Sequence, residues 1–163
     1  MILKSGTVTE GIGGGLCQLS NLLHWITIHT PLTVVERHRH GYDVFPDSNR
    51  TQPFGSGATC SYNYVDLMIK NNTAQAFQLF VHVTDTHLTG MWKSDMPPQY
   101  YYEVYEKEHI FKSEPWGLNT RNNIIFRRVY DANHNLVDDE FVVGNQAIMM
   151  YPPFLTGPAD SVD

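Results

Sequence analysis

Gly13-Gly14-Gly15-Leu16-Cys17-Gln18-Leu19-Ser20-Asn21-Leu22-Leu23-His24-Trp25-Ile26 is the stretch on which the fold turns. Three glycines break the chain, and apolar residues then fall at 16, 19, 22, 23 and 26. That spacing puts one apolar stripe on one side of a helix. Pro31 stops it, so the pattern predicts a helix over Leu16–His29, with Cys17, Asn21 and His24 on a flank of the stripe. Nothing later in the chain repeats this period. The expected class is therefore α+β, with one N-terminal helix packed on a mainly antiparallel β-sheet.

Outward from the helix, the texture alternates with a period of two. Met1–Lys4 reads as a short strand before a Ser5-Gly6-Thr7 turn, and Leu32–His38 as a β-branched strand. Pro46–Gly57 is rich in breakers and long for a loop, a length that favours function. Ala58–Lys70 is expected as a second strand region, Asn71-Asn72-Thr73 as a turn and Phe77–Asp85 as a third strand, with Val65–Val83 forming a hairpin. Tyr100–Glu106 and Ile124–Tyr130 alternate. Asp131–Asn135 is a turn from which Leu136–Val143 pairs back, and Pro152–Asp163 is a Pro- and Gly-rich tail. The expected sum is one long helix near the N-terminus followed by six to eight strands.

The 163 residues suit a single domain, 1–163, and 42% hydrophobic against 17% charged residues is a globular balance. A formal net charge of −6, with Arg37-His38-Arg39-His40 as the one short basic cluster, argues against a nucleic-acid partner. No apolar stretch reaches the roughly 20 residues of a membrane span. The N-terminus carries no signal-peptide pattern, which leaves a cytoplasmic and an envelope-associated location both open. Cys17 and Cys60 make no disulfide scaffold. No cofactor motif is present, and the oligomeric state is open.

Chemistry concentrates at the helix start. The first N–H groups of a helix lack internal partners and carry partial positive charge, which favours a thiolate there. Gly13, Gly14 and Gly15 admit a close approach of substrate backbone, with Gln18 one residue past the thiol, so these four are the candidate substrate-binding residues. The bland alternative is a tight turn followed by a small buried cysteine.

Three elements, in order and in register, carry a resemblance. They are Gly13-Gly14-Gly15-Leu16-Cys17-Gln18-Leu19-Ser20-Asn21, Val35-Glu36-Arg37-His38-Arg39-His40, and Ala58-Thr59 followed by Asp66-Leu67-Met68-Ile69-Lys70-Asn71-Asn72-Thr73. Together they resemble the VanW family of bacterial envelope and glycopeptide-resistance proteins, best between Gly11 and Thr73. The resemblance implies a single VanW-like domain in cell-wall or glycopeptide-resistance physiology, with peptidoglycan or its peptide precursors as partner. Members usually begin with a further stretch ending Gly-x-x-Phe-Ser-Phe, so part of the family's N-terminal segment is expected to be missing. Many also carry an acid before the Ala-Thr pair, where this chain has Gly57. Related domains are often on the outer side of the membrane.

Read as chemistry, Cys17 is the candidate nucleophile, His40 or His38 its base, and Asp66 an orienter of the imidazole. A cysteine on a helix followed by histidine and acid on successive strands is the order of transglutaminase-like and NlpC-like enzymes. Glu36, His38 and His40 share one strand face, and His40, at the strand end beside Gly41, is the favoured partner. The activity expected is cysteine-dependent acyl transfer or hydrolysis on a peptide or peptidoglycan stem. A zinc set of Cys17, His38, His40 and Cys60 is the weaker alternative, because its ligands lack clustered spacing, and no metal is assigned. The rival class is a non-catalytic cell-wall or protein-binding module. For that reading Tyr100, Tyr101, Tyr102, Tyr105, Trp92 and Trp116 offer aromatic faces, which core packing also explains.

Overall fold

The computed structural model describes residues 2–4, 7–9, 14–44, 47 and 51–152. Its order is β1 (Ile2–Lys4), β2 (Thr7–Thr9), α1 (Leu16–Thr27), β3 (Thr33–Glu36), β4 (Tyr42–Asp43), β5 (Met68–Lys70), β6 (Phe77–Val83), β7 (Leu88–Ser94), β8 (Tyr101–Ser113), β9 (Asn119–Tyr130) and β10 (Leu136–Met149). One helix and a majority of strands make the class α+β. The strands do not form one sheet. Among the described residues they form a four-stranded sheet ordered β4-β10-β9-β8 and three two-stranded ribbons, β1-β2, β3-β5 and β6-β7. Every pairing is antiparallel except β4 with β10.

The long alternating stretches form as their pattern dictates. Strands β8, β9 and β10 pair through most of their length, and the Asp131–Asn135 turn is closed by the Asp131 carboxylate accepting from the Asn133 and Asn135 N–H groups. The helix is shorter than its apolar pattern, ending at Thr27, and the strand after it spans Thr33–Glu36 only.

Two expectations fail. The span 58–70 is mostly not a strand: only Met68–Lys70 is extended in a ladder. Asn63 sits at φ 65°, and Tyr64 and Val65 donate back to the Ser61 carbonyl. Asparagine tolerates this left-handed conformation, and the β-forming tyrosines around it, Tyr62 and Tyr64, are left in solvent. The Val65–Val83 hairpin is also absent. Strand β5 pairs with β3, across the long connection that holds β4, and β6 pairs with β7. Among the described residues eight strands follow the helix, within the six to eight expected, and two short ones precede it.

Helix α1 lies against the β6-β7 ribbon. Gly90 leaves room there for Leu22 and Ile26, and the Trp92 indole N–H donates to Thr27 Oγ1 at 3.0 Å. Arg127, on β9, donates to the Ile28 and Thr30 carbonyls at 3.1 and 2.9 Å, fixing the helix end to the four-stranded sheet. Buried apolar side chains include Ile28, Leu32, Phe54, Ala58, Ile125, Val129, Ala147 and Met149.

Candidate active site

The loop before Thr59 has no ladder partner, so its carbonyls need other donors. Side chains supply them. Asn123 donates to Phe54 O, Arg37 to Gly55 O and Gly57 O, His24 Nδ1 to Ser56 O at 2.6 Å, and Ser20 to Ala58 O at 2.7 Å. Every carbonyl from Phe54 to Ala58 is thus held by α1, the segment after β3, or β9. Gly55, at φ 68°, makes the turn beside the Asn145 side chain. Asn145 in turn accepts from Arg37 and donates to Asn123.

This clamp sets Thr59 beside the helix start. The Thr59 N–H donates to the His38 carbonyl at 2.8 Å, so residues 38–40 run alongside. Cys17, half-buried in the first turn of α1, has its Sγ 3.6 Å from His40 Nε2 and 3.1 Å from Thr59 Oγ1. Thr59 Oγ1 is itself 3.2 Å from His40 Nε2. Thiol, hydroxyl and imidazole close a triangle. Gly15, at the N-cap, makes no side-chain cap to the first-turn N–H groups, and no acidic residue lies in that turn.

The other candidate residues fall elsewhere. His38 turns to Glu36, Nε2 to Oε1 at 2.8 Å. Asp66 is exposed in the loop before β5, and no hydrogen bond joins it to His38 or His40. Gly14, Gly15 and Gln18 border the cysteine in chain order, and Gly13 lies outside the described residues. Cys60 is a free thiol directed at the Leu16 carbonyl. Among the described residues no group of three or more His, Cys, Asp or Glu side chains is placed to hold a metal ion.

Sequence reasoning missed Thr59 as a site residue, although Ala58-Thr59 was one of the elements of the resemblance. It also missed the cleft that opens beside the triangle. That cleft, about 250 Å³, is lined by His40, Thr59, Arg37, Arg39, Phe54 and Asn21, among others. His24, expected on the flank with Cys17, is instead a core residue, 1% exposed. Burial holds its imidazole down at about 4, so it is neutral, with Nδ1–H on the Ser56 carbonyl.

These features define a class: an α+β protein, mostly antiparallel in its strands, with a thiol, a hydroxyl and an imidazole gathered at the start of its helix. Residues 1–93 match the family described as VanW like protein, and the chain belongs to the VanW family. It is 30% identical over 152 residues to the vancomycin B-type resistance protein VanW of Enterococcus faecalis, an alignment covering 93% of this chain and 55% of that protein. The chain thus spans about half the length of that curated relative. No solved structure matches it. Among the described residues, no helix is long and apolar enough to cross a membrane.

Proposed function

We propose that this protein carries out cysteine-dependent acyl chemistry on a peptide or peptidoglycan stem, in cell-wall and glycopeptide-resistance physiology, a reading supported by a relative named for vancomycin resistance. The observation that carries the reading is the contact of Cys17 Sγ with both His40 Nε2 and Thr59 Oγ1. In the reaction, His40 accepts the thiol proton, directly or through the Thr59 hydroxyl. The thiolate attacks the substrate carbonyl carbon, and the C=O pair moves to oxygen, facing the first-turn N–H groups of α1. Collapse of that adduct breaks the C–N bond, and the departing amine takes the proton from His40. Water, or an amine in a transfer reaction, then adds to the thioester and gives its proton to His40. A carboxylic acid or a new amide leaves, and the thiolate recovers its proton. His38, held by Glu36, and Asp66, in solvent, take no part in this scheme.

The test uses p-nitrophenyl acetate as a small acyl donor and peptide mass spectrometry as readout. An acetyl thioester on Cys17, formed with release of p-nitrophenol and lost in His40→Ala, is the expected outcome. Acetylation absent from Cys17, or unchanged in His40→Ala, would overturn the reading.

A second reading has its own observation. Between the end of α1, β7 and the start of β8 lies a cavity of about 600 Å³, bordered by Phe77, Trp92, Met96, Tyr100 and Tyr102. Apolar and aromatic walls with a few polar groups are typical of ligand pockets, and they suit a binding module with no chemistry. Binding that survives Cys17→Ala but fails in Tyr100→Ala would favour this alternative.

A further inference from the structure

The cleft lined by His40 and Thr59, the two partners of Cys17, has an unusual charge balance for a protein of net charge −6. Two guanidinium groups, Arg37 and Arg39, border it together with His40, and no Asp or Glu is among its described lining residues. Their roles differ. Arg37 is spent on the loop, donating to Gly57 O, Gly55 O and Asn145. Arg39 is not. Its Nε donates to the His40 carbonyl at 3.2 Å, its guanidinium carbon lies 5.1 Å from the Phe54 ring centroid, and its Nη1 is out of water with no hydrogen-bond partner. A buried N–H left without an acceptor is costly, more so when charged. Burial and then the neighbouring Arg39 hold Arg37 down to about 10. Burial also lowers Arg39, against the pull of Asp43. Asp43 itself is already engaged by Arg121 and by the Tyr151 hydroxyl.

We propose that this cleft is an anion subsite in which Arg39 receives a carboxylate of the substrate, so that the substrates are peptides with a free carboxylate. The inference rests on the acyl-chemistry reading and narrows it. A planar guanidinium stacked on Phe54 and flanked by a second one matches a carboxylate in shape and charge. Arg37 adds field without contact, and the His40 main chain ties the Arg39 side chain to the reacting pair. The occupant would meet the part of the Arg39 guanidinium that borders the cleft, and it would set a peptide end near the reacting pair.

Two alkylating probes of nearly equal size separate this claim from the activation of the thiol. Iodoacetate carries a carboxylate, whereas iodoacetamide is neutral. Both rates are measured on Cys17 in a Cys60→Ala background and compared with those of glutathione. The expected result is an iodoacetate-to-iodoacetamide ratio several times that of glutathione. In Arg39→Gln the ratio falls to the glutathione value while the iodoacetamide rate holds, and in Arg39→Lys much of the preference returns. N-acetyl-alanyl-alanine should slow iodoacetamide attack, and its C-terminal amide should not. A ratio equal to that of glutathione, or one unmoved in Arg39→Gln, overturns the subsite. Protection by inorganic phosphate stronger than by the dipeptide acid overturns the choice of carboxylate. Failure of acyl chemistry itself shows separately, as loss of the acetyl thioester with the alkylation ratio intact.

Discussion

At the scale of single residues, the candidate site depends on side chains doing work that a ladder would do elsewhere. Gly55 is the sharpest case. At φ 68°, a Cβ there would stand 2.5 Å from the Asn145 amide, which Arg37 and Asn123 hold in place. The backbone strain alone is of order 1–3 kcal/mol. Gly55→Ala should therefore lower stability by roughly 2 kcal/mol or more in urea unfolding, whereas a loss under about 0.5 kcal/mol would mean that the loop relaxes freely. The residue scale is also where the sequence was most partial. Cys17 and His40 were legible because a thiol at a helix start and a histidine at a strand end are local patterns. Thr59 and Arg39 were not, because Thr59 meets Cys17 and His40 across 42 and 19 residues and the fold alone sets Arg39 at the cleft. Asp66 looked suitable in chain order, and the turn around Asn63 leaves it in solvent.

At the scale of elements, the helix is fixed by two unlike contacts. Arg127 holds the Ile28 and Thr30 carbonyls just past its C-terminus from β9, and Trp92 reaches Thr27 from β7. Thr27 is fully buried, and its own hydroxyl donates to the Leu23 carbonyl at 2.6 Å. Thr27→Val keeps the shape but strands the Trp92 N–H, at a cost of about 1–3 kcal/mol. Paired with Trp92→Phe, which removes that donor, the two losses should add to less than their sum. Strict additivity in urea unfolding would mean that the hydrogen bond contributes nothing. The elements themselves were readable where alternation was long, as in β8 to β10, and at the helix, whose apolar period is plain. Pairing was not. Strand β5 is short, and nothing in its residues says that its partner is β3 rather than the strand that follows it. The Asn71-Asn72-Thr73 turn invites a hairpin that tertiary pairing overrides.

At the scale of the whole molecule, the core holds a histidine whose protonation is coupled to folding. His24 is 1% exposed, and burial first, then Arg37, depresses its imidazole to about 4, against the pull of its bond to Ser56. The unfolded chain, near the ordinary 6.5, binds the proton more readily. The stability that His24 contributes is therefore complete above pH 6.5 and is lost as pH falls toward 4, by about 2 kcal/mol on reaching pH 5. Urea unfolding at pH 7.5 and pH 5 should show that decline, and His24→Gln should flatten it. An equal decline in the variant would assign the effect to other groups. Composition foretold the globular class and the net acidity, but an overall charge of −6 hid a cleft bordered by two arginines, since charge placement is a property of the fold.

The central claim is that Cys17 reacts through His40 and not through His38. The most direct measurement is the rate of Cys17 alkylation by iodoacetamide from pH 5 to pH 9 in a Cys60→Ala background, with His40→Ala and His38→Ala compared. Reaction faster than that of glutathione is expected on the acid side of that range, lost in His40→Ala and kept in His38→Ala. A glutathione-like profile in the parent, or a loss confined to His38→Ala, would contradict it.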